Sequence, residues 1–506
     1  MPALCSGTCS GQGVCVELDS LLRLGPAPSA AEVGRVLGPE LEKWRKKPKK
    51  ATEVLAGLAR NRLPDVAWQV ISFMREGRVE VNIYHCNTAV SACEKGKRWE
   101  QALDLLNSMS DMGITPDKIS YNAAISACEM SAQWQVALAL LSVAMPKMSV
   151  APSEISYNAA ISACEKGGQW QVAVRLLHEM SGMRLSPDHI TFSAAMSACE
   201  KGSQWQLALA ILSSMPEMRA LPNQISYSAV ISACEKVGQW QPAVGLLHQM
   251  SETRVVPDSI NYNAAISSCE KGGQWELALG LLDQMSETKT IPSKVSYNAA
   301  ISACEKGGQW QFALSLLSQM SHGRVMPNEI SYSAAISACE KVAQWKLALV
   351  LLSQMPEMSL TPNRISYSAA MSACENGGQW EIALELLAAM PDAKVMPDAI
   401  NYNAAISACE KGGQWQLAVS LLADMRGADL TPNTISIKAA LMACEQGCQW
   451  QLALSLLANL SEMRAAPDEI SYDVAINACQ KGGQRHLLPS LLSVLQSSKI
   501  AMFELL

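Results

Sequence analysis

Cysteine, glutamate and lysine recur through this 506-residue chain at fixed intervals, and the intervals decide what chemistry they can do. Twelve of the 17 cysteines, running from Cys93, Cys128 and Cys164 to Cys479, stand once in each unit of a 35-residue period. Equivalent points on stacked helical units lie roughly 8–10 Å apart, beyond the ~7 Å reach of a disulfide. These cysteines therefore read as small buried apolar side chains in a reducing compartment. Cys5, Cys9 and Cys15 form a loose group with no histidine nearby and read as free thiols rather than a zinc site. The six histidines are scattered. A glutamate recurs once per unit but never beside a second carboxylate, which argues against general acid–base work. There is no H-x-E with C-x-x-C, no phosphate-binding loop and no G-x-S-x-G. The expectation is a protein without catalytic residues, metal or cofactor.

A second set of polar residues varies where the rest of the unit does not. Units begin at Ile83, Lys118, Glu154, His189, Gln224, Ser259, Lys294, Glu329, Arg364, Ala399, Thr434 and Glu469. Position 5 and position 35 of the first ten form the pairs Asn87 with Asp117, Asn122 with Ser153, Asn158 with Asp188, Ser193 with Asn223 and Ser228 with Asp258. The series continues with Asn263 and Ser293, Asn298 and Asn328, Ser333 and Asn363, Ser368 and Asp398, and Asn403 and Asn433. Only Asn and Ser occupy position 5; only Asp, Asn and Ser occupy position 35. These are hydrogen-bonding groups suited to recognition. Asp, Asn and Ser before a helix are also ordinary caps. Capping accounts for position 35 alone. It does not explain why position 5 alternates between two residue types behind an almost constant Tyr or Phe.

The elements that must hold these pairs follow from the apolar spacing. In the unit starting at Glu154, Tyr157, Ala160, Ile161 and Cys164 share one helical face. This predicts a first helix over about positions 3–13, with Ser156 as N-cap and Gly167–Gly168 as its stop. A second helix begins near Gln169 and carries Trp170, Ala173, Val174, Leu176, Leu177 and Met180 inward. Neither helix buries its apolar face alone, so the units must stack. The expected fold is all-α: a right-handed superhelical α-solenoid of helix-turn-helix units. One extra residue falls near Ala144. Residues 1–47 read as an N-terminal extension, disordered or targeting, and 48–82 as a worn capping unit that keeps Ala67, Met74 and Asn82. The array runs over 83–468, and 469–506 close it, with Arg485 and Leu488 replacing the usual Trp and Ala.

Bulk numbers restrict the partners. The net charge of −6 gives no general reason to expect nucleic-acid binding. No run of ~18 apolar residues is present, so no membrane span is expected. Lysine nevertheless stands at position 13 in nine units: Lys95, Lys166, Lys201, Lys236, Lys271, Lys306, Lys341, Lys411 and Lys481, interrupted by Met130, Asn376 and Gln446. A helix-end lysine also complements the helix dipole. The run Lys43–Lys50 reads as a solvated linker. Residues 1–22 hold no Lys or Arg, a poor match to an organelle transit peptide.

A 35-residue helical hairpin with "YN" at positions 4 and 5, Lys at 13, "ALxLLxxM" from 20 to 27 and a closing Pro-Asp or Pro-Asn resembles the pentatricopeptide repeat. The resemblance covers about residues 83–503. The tetratricopeptide repeat differs in its 34-residue period and its early Trp. The resemblance implies single-stranded RNA as partner, one base per repeat, in a chloroplast or mitochondrion. Positions 5 and 35 would read the base, position 2 would pack on its face, and the lysine at position 13 would meet the phosphates. A longer Asn suits the smaller pyrimidines and a shorter Ser leaves room for purines. The implied site is 5′-UCUAGCYAGY-3′, with Y a pyrimidine. Thr52 with Asn82 would add an A before it. Lys438 with Asp468, and Asp473, fit no pair. The competing function is a helical-repeat scaffold for proteins, which would line its groove with freely varying residues.

Overall fold

The computed structural model describes residues 16–25, 28–323, 325–462 and 469–484. Cys5, Cys9, Cys15, Asp468, Arg485 and Leu488 lie outside them. The described chain is helical hairpins in tandem, with no strand among the described residues. It divides into two units, residues 1–237 with 242–257, and residues 238–241 with 258–506. Within each, the first helix of one repeat packs on the first helix of the next, and second helices fill the other layer. No described helix is long and apolar enough to cross a membrane.

Repeat three shows how the sequence produces the hairpin. Its first helix is Glu154–Lys166 and its second Trp170–Gly182. Tyr157, Ala160, Ile161, Cys164, Ala173, Leu176, Leu177 and Met180 are buried between them and against the neighbours. Gly168 adopts φ +68°, the left-handed turn that joins the helices. Small residues set the spacing between repeats. A Cβ on Gly202 would lie 2.3 Å from Cδ1 of Trp170 in the preceding repeat. The once-per-repeat cysteines are fully buried, and burial pushes thiols such as Cys164 and Cys304 up to about 11. They pack as small apolar groups.

Helix starts differ from the sequence expectation. The first helix begins at position 1, and the N-cap of repeat three is Ser153, not Ser156. Ser156 is the third helical residue and hydrogen-bonds back to the cap, so the cap lies in the preceding repeat. The extra residue of repeat two is absorbed by a π-helical turn at Leu140–Ala144. That turn delays the following side chains by one residue and lets Met145 occupy the buried methionine slot.

The N-terminal extension also differs. Its described part forms helices Val16–Arg23, Ala30–Leu37 and Leu41–Lys46, which pack against the worn repeat's helices Lys49–Arg60 and Pro64–Glu76. Ser29 and Glu32 make a reciprocal capping box. The basic run is therefore no linker: Trp44 within it is fully buried, and Arg45 donates to the Gly77 carbonyl at 2.5 Å. The apolar anchor outweighs the charge of its neighbours because lysine and arginine heads reach water while their stems pack.

Candidate nucleic-acid interface

All twenty residues of the first ten position-5 and position-35 pairs are partly or fully buried near the start of a first helix. Position 35 is the N-cap. Asp117 Oδ1 accepts from Ser120 N at 2.9 Å, Asp188 Oδ1 from Thr191 N at 2.9 Å, and Asn328 Oδ1 from Ser331 N at 3.0 Å. The cap is also joined to position 5. Asn87 Nδ2 donates to Asp117 Oδ1 at 3.1 Å, Asn122 Nδ2 to Ser153 Oγ at 3.3 Å, Asn158 Nδ2 to Asp188 Oδ1 at 3.2 Å and Asn298 Nδ2 to Asn328 Oδ1 at 3.2 Å. Capping and pairing thus share one set of atoms, and the two readings of position 35 are compatible.

The pairs differ in what they leave open. Burial alone would raise the Asp117 and Asp188 carboxyls. Hydrogen bonds from the backbone and side chains of Ser120 and Thr191, with Asn87 also donating to Asp117, outweigh burial and hold both carboxyls below the usual range. Each stays an acceptor, and Asn beside it keeps one amide proton outside these bonds. That donor–acceptor edge complements a pyrimidine with a ring N–H between carbonyls. Serine pairs are shorter: Ser333 Oγ reaches Asn363 Oδ1 at 3.5 Å, and Ser368 Oγ donates to its own helix at Arg364 O, 2.9 Å.

A third member, expected as a cap at Ser156, joins several of the pairs, while Ser193 Oγ and Asn403 Oδ1 are buried without a hydrogen-bond partner. Position 3 of every described repeat is a buried polar residue, from His85 and Ser120 to Ser436 and Ser471. Ser156 Oγ donates to Asn122 Oδ1 at 2.6 Å, Ser331 Oγ does the same for Asn298 at 2.6 Å, and Thr191 binds Asn158 likewise. A polar residue at a buried helical position, twelve times over, was the available signal. Where the array meets the worn repeat, His85 Nε2 instead lies 3.1 Å from the Pro48 carbonyl.

Beside each trio the surface is apolar. Position 2 carries Tyr84, Val295 and ten isoleucines, exposed from 52% at Ile190 to 70% at Tyr84. At repeat one an open cleft of about 320 Å³ is lined by Asn87, Tyr84, Ile119 and Lys95. One position-5 amide thus stands with two position-2 side chains and a position-13 lysine.

The lysines have protein partners. Lys166, Lys201, Lys236, Lys306, Lys341, Lys411 and Lys481 each pair with the position-12 glutamate of the preceding repeat at 2.9–3.5 Å. Their side chains remain 35–50% exposed. Where the lysine is missing, the glutamate changes. Burial raises Glu94 and Glu410 and pushes Glu340 up to about 7, and these precede Met130, Gln446 and Asn376.

The models of the PPR repeat families match this chain in three forms. The pentacotripeptide-repeat region of PRORP matches residues 253–426, the PPR repeat family 81–129 and 152–201, and the PPR repeat 225–255. Together they cover more than half of the 506 residues. No curated protein matches the chain. Among solved structures, the pentatricopeptide repeat protein PPR10 from maize is similar at 17% identity and TM-score 0.46, over 96% of this chain and 87% of that one. PPR10 in complex with an 18-nt psaJ RNA element is similar at 19% identity and TM-score 0.44, over 96% and 81%. Yeast Rmd9p in complex with a 16-nt target RNA follows at 11% identity and TM-score 0.33, over 88% and 96%. By the repeat-family matches, their 35-residue spacing and the hairpins they fold into, this chain belongs to the pentatricopeptide-repeat family.

Proposed function

We propose that this protein binds single-stranded RNA in a sequence-specific way, one base per repeat, and acts by occupying its target rather than by catalysis. One observation carries the reading. An exposed aliphatic or aromatic residue at position 2 recurs beside a hydrogen-bonded polar set at positions 5 and 35, at the same place in repeat after repeat. An apolar face and a short donor–acceptor edge are what an unstacked base needs from a protein. The order of pairs along the chain gives the site 5′-UCUAGCYAGY-3′ by the family's rule. The position-13 lysines would meet the phosphates by exchanging a glutamate for an RNA oxygen. Their pairing with glutamate explains how a chain of net charge −6 presents such contacts without a general basic surface. Shielding a transcript, remodelling it or recruiting a further factor in an organelle are the roles open to such a protein.

The test is selection from a random RNA pool by the full chain. Enrichment of the ten-base site, with fixed bases at positions one to six, eight and nine, is the expected result. A pool that stays random after repeated rounds, with folded protein, would sink the reading and favour the protein scaffold.

A further inference from the structure

Resting on that reading, the inference concerns the buried residue at position 3. Its identity follows the pair it joins. Where position 5 is Asn, the next repeat's position 3 is a hydroxyl: Ser120, Ser156, Thr191, Ser296, Ser331 or Ser436. Where the pair is Ser with Asn, it is again Ser, at Ser226 and Ser366. Only the two Ser–Asp pairs are followed by Asn: Asn261 after Ser228 and Asp258, and Asn401 after Ser368 and Asp398.

The geometry of repeat nine supplies the reason. Asn401 is fully buried and its Nδ2 donates to Ser368 Oγ at 2.9 Å, with Met371 Sδ at 3.8 Å. Its Oδ1 accepts from Asp398 N at 3.0 Å, completing the capping box. A serine at position 3 is too short to reach a serine at position 5, so the long and short side chains have exchanged places across the trio. The exchange also fixes the serine's proton. Ser368 Oγ donates to the Arg364 carbonyl at 2.9 Å while accepting from Asn401. It therefore faces a ligand with a lone pair only. Asp398 Oδ1 is engaged by Ile400 N and Asn401 N, and Oδ2 lies 3.5 Å from Arg364 Nη1, an exposed side chain. The trio presents acceptors on both members. Among the four bases, guanine alone offers two adjacent donors, its ring N–H and exocyclic amine.

We infer that position 3 of the following repeat is a third specificity-determining residue, acting through position 5: the hydroxyls of Ser120, Ser156, Thr191, Ser296 and Ser331 orient the Asn amide they bond, and Asn401 sets Ser368 as an acceptor. It is a positioning residue and does not touch the base.

The experiment uses the full chain and four labelled RNAs carrying the proposed site with each base at the ninth place. Binding of the parent, Asn401→Ser, Ser368→Asn and the double variant Ser368→Asn/Asn401→Ser is followed by anisotropy. Serine keeps the capping box, as Ser366 does in repeat nine's own first helix. The parent should prefer G by about tenfold. Asn401→Ser should lose most of that preference while keeping its selectivity at the first base and its melting temperature. The double variant should prefer U, and Ser368→Asn alone should fall short of it because two long side chains then compete for one space. An equal loss on all four RNAs by Asn401→Ser would reduce position 3 to a structural role and overturn the inference. So would a full switch to U by Ser368→Asn alone, or an unchanged G preference in Asn401→Ser. A parent that binds all four RNAs equally, or none, would overturn the RNA-reading proposal itself, and this inference with it.

Discussion

The two ends of the first helix vary by different rules. At the N-terminal end, an Asn at the next position 3 stands only behind a Ser–Asp pair, at Asn261 and Asn401, and each described combination keeps its cap. Asn298, Asn328 and Ser331 form one closed set, and Ser368, Asp398 and Asn401 another with the long side chain moved. At the C-terminal end, position 12 of one repeat meets position 13 of the next, and changes come singly. Met130, Asn376 and Gln446 remove a lysine, and nothing is altered opposite to restore the pair. Burial explains the contrast. A buried polar group without a partner costs about 1–3 kcal/mol, so substitution there is mostly compensated, as at Ser368 with Asn401, and left uncompensated at Ser193 Oγ and Asn403 Oδ1. A half-exposed ion pair is worth about 0–1 kcal/mol, so its loss is tolerated.

Breaking the buried end should therefore have the largest effect. Ser331→Ala removes the acceptor for Asn328 N, 3.2 Å away, and the donor to Asn298 Oδ1. The expected loss is about 2 kcal/mol in urea unfolding, together with weakened selection at the seventh base of the proposed site. A loss below about 0.5 kcal/mol would mean water replaces the hydroxyl and the end is less tightly built than its burial implies.

The exposed end should respond in binding rather than in folding. Replacing Lys271, Lys306 and Lys341 together with Ala should change stability little, since each such side chain is solvent-accessible. If the three meet phosphates, the log–log dependence of RNA affinity on salt should flatten by about 2, at roughly 0.7 per contact. Base preference should be untouched. An unchanged slope would mean the lysines stay with their glutamates, and the ladder serves only to join repeats.

Which of these features the sequence discloses depends on whether they are local. The hairpin, its apolar faces and the variable pairs are visible because each lies within one 35-residue period. The helix start is displaced because its cap belongs to the preceding repeat, and because Ser156 fits a cap by type as well as a third residue. The trios join residues 30–34 apart and the ion pairs residues 36 or 37 apart, so both require the register of neighbouring helices. The N-terminal helices were readable: Ser29-Ala-Ala-Glu32 is a capping-box pattern before an apolar run. The basic run after it carries one apolar side chain, Trp44, whose burial depends on helices outside its own segment.

The smallest predicted effect sharpens the contrast by repairing the exposed end. Glu340 is pushed up to about 7 by burial first, then by Glu305 and Glu375, against partial relief from Lys341. Asn376 stands where a lysine would answer it; its Nδ2 donates to the Glu340 carbonyl at 3.4 Å, and its Oδ1 accepts from Lys411 Nζ at 3.2 Å. A carboxyl ordinarily near 4.5 that titrates near 7 when folded holds a proton in the native state that the unfolded chain has released. Stability contributed by this group therefore falls as pH rises from 4.5 to 7, and the full penalty is present above 7. Asn376→Lys should place an ammonium beside Glu340 as Lys411 stands beside Glu375, 2.9 Å away. The gain should be about 1 kcal/mol at pH 8, discounted for solvent at a half-buried site, and should vanish at pH 4, where the carboxyl is protonated in both states. Unfolding midpoints of parent and variant at the two pH values measure it. A gain equal at both would assign the effect to helix propensity at position 13 and leave Glu340 out of it.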